Sequence, residues 1–306
     1  MDKTLRIGII TAYPEEDWHS RELIEAAASR GEVRVIRPEQ LGARVTDQGV
    51  SILAEGMELD PIDGFVLARG FGDRGNADFM VPVYQILERS GKVMVNSIEA
   101  VLTAIDKFET SCRLQQVGIP TPPVVVTQDA RTAHAVLCEW KRAVMKPLFG
   151  SLGMGIEFVE DTCEGHALLP IALDRFGAIY IQAYIDTPGR DIRAFVIGPR
   201  VIASMYRVAA PGSRRANLAQ GAHAEPCELD ADTCRMAVAA ARATGLDYTG
   251  VDILEGPAGP MVIEVNGNPL WRGLQEVTGL PVAEAIVSWV AERITQTSVK
   301  GGEYIA

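Results

Sequence analysis

Asp252, Glu264 and Asn266 are the side chains whose types and spacing best fit a chemical task. All three lie in one stretch, residues 250–269, reading GVDILEGPAGPMVIEVNGNP. Apolar runs at 251–254 and 261–265 flank a Gly/Pro-rich connection at 255–260, the pattern of a β-hairpin with a loop longer than two residues. Side chains two apart on a strand share a face, so Glu264 and Asn266 point the same way, and the fold-back sets Asp252 roughly opposite them. Two carboxylates and an amide oxygen on a rigid sheet suit Mg²⁺, a hard cation that takes a few protein oxygens and completes its shell with water or phosphate. Strand alternation also produces such patterns on a solvated hairpin, so the rest of the chain has to decide.

Cationic residues are the natural complement. Lys146 sits in a strand otherwise made of Ala, Val and Met and is followed by glycines at 150, 153 and 155. A buried ammonium needs an anionic partner, and a phosphate would supply one while the glycine loop folds over it through its N–H groups. The loop lacks the P-loop ending and joins strand to strand, so a flexible hairpin turn is the alternative. Lys107 follows Asp106 inside a helical period spanning 97–116, where a lysine is ordinarily solvated. Arg69 and Arg74 lie in the loop RGFGDRGN, which leaves the end of a strand and could receive an anion or be an ordinary turn. Asp191 and Arg193 alternate with Ile192 and so share a face. Arg207, Arg214 and Arg215 lie near Asn217 in a polar loop ending at Gly221, either solvated or an anion clamp.

The elements that must position these groups follow from periodicity. Strands at 5–12, 33–36, 64–68 and 92–96 alternate with helices at 19–30, the first capped by Gly31, and 77–90, which implies a small parallel sheet covered by helices. A boundary near 97, a linker at 118–123 and strands at 143–147, 178–185 and after Gly189 divide the chain into 1–96, 97–178 and 179–306. An Ala-rich helix at 230–244, capped by Asp230 and ended by Gly245, leads into the hairpin. Trp271 and Arg272 fall in a loop, a closing helix spans 282–295 with Trp289 in the core, and 298–306 reads as a frayed tail. The fold class is α/β.

Composition narrows the function. The chain has 306 residues, 47% hydrophobic, 23% charged, with a net charge of −11, which disfavours a nucleic-acid surface. No apolar run reaches a membrane span and no signal-peptide pattern opens the chain, so a cytoplasmic protein is expected. Five scattered cysteines, never spaced C-x-x-C, argue against a disulfide framework and a zinc site.

Taken in order, N-S-I-E-A at 96–100, D-K at 106–107, M-K-P at 145–147, S-L-G-M-G at 151–155, I-Q-A-Y-I at 181–185, G-R-D-I-R at 189–193, R-A-N-L at 215–218, G-V-D-I-L at 250–254 and E-V-N at 264–266 resemble the ATP-grasp enzymes, and more closely the RimK-type α-L-glutamate ligases. The resemblance covers about residues 95–295. It implies an ATP-grasp fold behind an N-terminal pre-ATP-grasp domain. ATP phosphates would fall to Lys107 and Lys146, with Ser151 and Gly153 in the closing loop. Adenine would fall to Gln182, Ala183, Tyr184 and Ile185, and ribose to Asp191. Arg215, Ala216 and Asn217 would reach the phosphates and the reacting carboxylate, making Arg215 and Lys146 the catalytic pair. Asp252, Glu264 and Asn266 would hold Mg²⁺, as two ions, with Mn²⁺ as a substitute.

The implied reaction is ATP-dependent amide formation through an acyl phosphate. Departures bear on substrate: Ala183 stands where relatives often carry an acid, and Ala219–Gln220–Gly221–Ala222 lacks a family arginine. Trp271 and Arg272 read as a wall for a planar anionic acceptor, with Arg69, Arg193 and Arg207 as further substrate contacts. A small pterin- or furan-type coenzyme precursor receiving glutamate, as in the tetrahydromethanopterin glutamate ligases, is the expected substrate pairing. A ligase acting on a peptide or protein tail and a catalytically silent ATP-binding regulator are the competing expectations, and homo-oligomerisation is left open.

Overall fold

The apolar run near the N-terminus forms β1 (Leu5–Thr11), buried from Ile7 onward. After it come α1 (Trp18–Ala28), β2 (Gly31–Ile36), β3 (Leu41–Thr46), β4 (Gly49–Ala54), β5 (Met57–Glu58), β6 (Gly64–Arg69), α2 (Ala77–Arg89) and β7 (Val93–Val95). This computed structural model describes residues 4–69, 74–150, 155–210 and 221–302, side chains at 298–302 excepted. Strands β2, β1, β6 and β7 form, in that order, the parallel sheet expected from the sequence. Gly31 does not cap α1, which ends at Ser29; it opens β2, where a Cβ would stand 2.1 Å from the Leu5 carbonyl oxygen. The antiparallel meander β3-β4-β5 was not legible, because its buried alternation is confined to Ile52 and Ala54 of β4, too short a run to mark a strand, while β3 and β5 are half-buried or exposed and carry no such pattern.

The chain divides into two compact units, one comprising Met1–Val101, Leu246–Tyr248 and Asn268–Ala306, the other Leu102–Gly245 and Thr249–Gly267. The elements that follow β7 are α3 (Ile98–Ile105), α4 (Lys107–Gln116), β8 (Val124–Thr127), α5 (Ala130–Trp140), β9 (Arg142–Pro147), β10 (Glu157–Glu160) and α6 (Cys163–Phe176). They continue with β11 (Ile179–Ala183), β12 (Arg190–Ile197), β13 (Arg200–Val208), β14 (His223–Pro226), α7 (Ala231–Thr244), β15 (Tyr248–Gly256) and β16 (Gly259–Asn266). Two sheets carry the second unit, one ordered β10-β9-β11-β8 and the other β14-β13-β12-β15-β16. The chain returns to the first unit through α8 (Arg272–Thr278) and α9 (Val282–Gly302). Among the described residues no helix is long and apolar enough to cross a membrane.

Several local expectations change. Arg272 opens α8 rather than lying in a loop with Trp271, which directly precedes the helix, and α9 continues past 295 into the segment expected to fray. The helical period over 97–116 is broken at Asp106, whose carboxylate accepts from the Phe108 and Glu109 amides and so starts α4 afresh. Asp does this because its side chain satisfies N–H groups that a helix start leaves unbonded. Lys107 therefore stands at the first position of a helix. Asp106→Ala should cost about 1 kcal/mol of stability, an ordinary cap loss, read as a lower urea midpoint at unchanged m-value.

Candidate active site

Strand alternation sorts β9 and β11 into two faces. Ala143, Met145, Ile179 and Ile181 pack into a core with Ala133 and Leu137 of α5 and Leu169 of α6. Lys146, Tyr180 and Gln182 must then point to the opposite face. Antiparallel pairing sets Lys146 directly across from Tyr180. The Lys146 ammonium, 8% exposed, donates to Gln182 Oε1 at 2.9 Å and sits 5.7 Å from the centre of the Tyr180 ring. No carboxylate among the described residues is within ion-pair distance, and burial pushes the ammonium below its usual pKa, against the pull of Glu264. A buried cation held by a neutral amide and a ring face is short of negative charge, which is the local requirement for an anionic ligand.

Lys107 stands nearby in the same network. Its ammonium donates to the Gly150 carbonyl oxygen at 2.8 Å, and burial also lowers its pKa, opposed first by Glu264. Ser111, one turn along α4, donates to the Lys107 carbonyl oxygen and lies 2.9 Å from the Tyr180 hydroxyl. Burial raises the Tyr180 phenol to about 12, so it stays protonated. Sequence reasoning missed Tyr180 and Ser111. The available signal for Tyr180 was its place two residues before Gln182, which puts both on the lysine face.

The hairpin carries the acidic group. Asp252 pairs with Glu264 and Gly250 with Asn266 across β15 and β16, with a bulge just after Asp252. Directly opposed residues share a face, so the expected convergence is met. The turn is shorter than expected: pairing continues to Gly256 and Gly259, leaving two residues, and Gly259 carries φ +118°. Asn266 donates through Nδ2 to the Gly250 carbonyl oxygen at 2.8 Å, which leaves its Oδ1 as the acceptor.

Asp252 is 3% exposed and engages two arginines. Arg193 Nε donates to Oδ1 at 2.5 Å and Arg207 Nη2 lies 2.9 Å from Oδ2. Arg207 also holds both oxygens of Asp191, at 2.6 and 2.8 Å. Arg207 lies in β13, 6% exposed, and not in the polar loop expected to contain it. Burial opposes ionisation of Asp252, yet the flanking guanidiniums outweigh it and hold the carboxyl below its usual range. Asp191, with one arginine and the Asp252 charge beside it, is raised to about 6, chiefly by burial. An ionised carboxylate opposite Glu264, with Asn266 Oδ1 beside the same strand pair, fits a hard divalent cation.

Of the remaining expected residues, Ala183, Tyr184 and Ile185 follow Gln182 at the end of β11, with the Ala183 amide bonded to the Pro123 carbonyl oxygen and Tyr184 under the Arg142 guanidinium. Ser151, Gly153, Arg215, Ala216 and Asn217 lie outside the described residues. Arg69, Trp271 and Arg272 belong to the first unit and meet through residues 17–19. Thr11 and Arg69 end β1 and β6, the adjacent strands where the sheet order reverses and where open α/β sheets place ligands. Arg69 lies 3.4 Å from Asp17, whose carboxylate caps α1 and is held well below its usual pKa despite burial. His19 bonds Asp17 and stacks edge-on against Trp271, 4.7 Å between ring centres. Trp271 is only 2% exposed, whereas Arg272 reaches 5.8 Å from the Trp18 ring.

Comparison with known proteins matches residues 104–290 to the RimK-like ATP-grasp domain family. The chain is 31% identical to the tetrahydromethanopterin:α-L-glutamate ligase of Methanosarcina acetivorans, over 93% of this chain and 98% of that protein. It is 32% identical to the probable α-L-glutamate ligase 2 of Shewanella amazonensis, over 94% and 95% of the two chains. Among solved structures, the ATP-grasp ligase PsnB with a minimal precursor superposes with a TM-score of 0.75 at 21% identity, covering 95% of this chain and 99% of that one. At that identity the superposition establishes the fold, an ATP-grasp fold.

Proposed function

Because the chain belongs to the RimK-like ATP-grasp family, and is thereby an ATP-dependent ligase that makes an amide bond, we propose that it joins glutamate or a similar amino acid to a small-molecule coenzyme precursor of pterin or furan type. The observation carrying this reading is the match, over nearly the whole of both chains, to a ligase named for tetrahydromethanopterin and glutamate. Arg69 at the switch point of the parallel sheet and Arg272 beside Trp18 supply the charge and ring face that a planar anionic acceptor calls for.

In this reading the chain is divided into 1–96, 97–178 and 179–306, the first carrying Arg69 for the acceptor, the second Lys107 and Lys146 for the phosphates, and the third the metal, adenine and ribose residues together with Arg272. Lys107 and Lys146 take ATP phosphates, for which the support is that Lys146 is buried and bonds a neutral amide, with no carboxylate at ion-pair distance among the described residues. Residues 182–185 meet the adenine through their backbone, Asp191 serves the ribose, and Arg215 to Asn217 reach the reacting carboxylate. The lysines and Arg215 offset charge as the γ-phosphoryl passes to a substrate carboxylate, and an amine then displaces phosphate. Asp252, Glu264 and Asn266 would hold Mg²⁺, in two ions or with Mn²⁺ in its place, which when bound neutralises the phosphate oxygens.

The test is ADP release with Mg²⁺-ATP and glutamate, with and without a small-molecule extract, followed by mass spectrometry of the extract. Extract-dependent release with a product heavier by one amino-acid residue is the expected result. Release that follows added peptide and not the extract would overturn the small-molecule assignment in favour of a peptide or protein tail. ATP binding without ADP release under any condition would favour a silent regulator.

A further inference from the structure

A second cluster of ligand-type side chains lies on the other face of the β10-β9-β11-β8 sheet, among the helices that cover it and away from Lys146. Cys138 on α5, His166 on α6 and Asp161 just before α6 each offer one donor atom, all within 4.8 Å of one another. His166 Nε2 lies 2.8 Å from Asp161 Oδ1 and 3.7 Å from Cys138 Sγ. His134, one helical turn before Cys138, places Nδ1 at 2.7 Å from His166 Nδ1, with the two rings stacked 4.9 Å apart.

We propose that Cys138, Asp161 and His166 form a binding site for a Zn²⁺-class divalent cation, separate from the Mg²⁺ chemistry of ATP. The donor set is one sulfur, one imidazole nitrogen and one carboxylate oxygen, which a borderline-soft ion accepts and Mg²⁺ does not. Ligand bonds of about 2.0–2.3 Å in a tetrahedron set donor atoms about 3.3–3.8 Å apart, so the Cys138–His166 pair already fits and the His166–Asp161 pair opens by about half an ångström.

The surrounding groups provide what such a site needs. Lys141 bonds Asp161 through Oδ2 at 2.8 Å, leaving Oδ1 to turn to the metal. His166 coordinates through Nε2 while its Nδ1–H is donated to His134 Nδ1, the outer hydrogen bond that fixes the ligating tautomer. Binding releases one proton net, that of the Cys138 thiol, as the His166 proton moves from Nε2 to Nδ1 and the His134 proton moves from Nδ1 to Nε2. The fourth position is open to water. Because His134 and Cys138 lie on α5 and the other two ligands on the segment from β10 into α6, the ion would clamp both helices covering this sheet. The scattered, non-C-x-x-C cysteines concealed this, since a site assembled from one cysteine and two helices has no sequence spacing of the usual kind.

The test titrates chelator-treated full-length protein with Co²⁺, then with Zn²⁺. One equivalent of Co²⁺ should bind with a thiolate-to-cobalt charge-transfer band, Zn²⁺ should displace it, and Zn²⁺ should raise Tm. Cys138→Ser should abolish the band and the Tm rise, Cys163→Ser should leave both, and His134→Ala should weaken binding by about 10–100-fold. His166→Gln should behave as Cys138→Ser, with circular dichroism confirming that each variant is folded. Absence of the band in the parent protein, or a band that survives in Cys138→Ser, overturns the site.

Discussion

Lys146→Met is expected to lower the rate of Mg²⁺-ATP turnover by about 10²–10³-fold, the scale for removing one charge-stabilising donor from a phosphoryl or oxyanion site. The same variant should not lose stability. Methionine fills nearly the volume of the lysine stem, and what disappears is an ammonium that burial disfavours more than the more distant Glu264 and Asp252 carboxylates favour it. Desolvating a charged group costs several kcal/mol even after relaxation. Against this, Gln182 Oε1 loses a donor, a neutral-group cost of about 1–3 kcal/mol. The balance predicts an unchanged or higher Tm without ATP and a smaller ATP-induced rise in Tm than in the parent. A variant that loses several degrees without ligand yet keeps its ATP-dependent shift would show that Lys146 serves packing and not phosphate.

The sequence made some of this legible because strand geometry is short-ranged. The pairing of Asp252 with Glu264 follows from two apolar runs and one turn, and the helix at 230–244 was readable because both its caps are encoded in Asp230 and Gly245. The Lys146 environment was half legible: an unpaired lysine in an apolar strand called for an anion, but the Gln182 amide and Tyr180 ring that hold it come from β11. The arginines were misread for the same reason. Arg207 looked like part of a polar loop because its neighbours at 211–217 are polar, whereas its partners Asp191 and Asp252 are supplied by β12 and β15, sixteen and forty-five positions away. Trp271 read as a wall of the substrate site, yet its ring is taken up by His19 from α1, a contact that no local pattern announces.

Asp252→Asn should do the opposite of Lys146→Met on stability while also abolishing turnover. The carboxylate is buried and receives Arg193 and Arg207 together. An amide of the same shape accepts one of those donors through its oxygen and turns its NH₂ toward the other guanidinium. Arg207 keeps Asp191, but Arg193 loses the carboxylate that balanced its charge at a site 7% exposed. Breaking one side of a buried ion pair costs about 3–5 kcal/mol, far more than the loss of a surface bridge. The urea midpoint should fall accordingly. Activity should fall to background at every Mg²⁺ concentration, since the amide lacks the charge that a hard cation prefers. Instability alone could mimic this result, and a double-mutant cycle separates the two. Adding Arg193→Met to Asp252→Asn removes the unbalanced guanidinium and should recover part of the lost stability without any activity. If the double variant regains Mg²⁺-dependent ADP release along with its stability, Asp252 acts only as the anchor of Arg193 and the metal assignment falls.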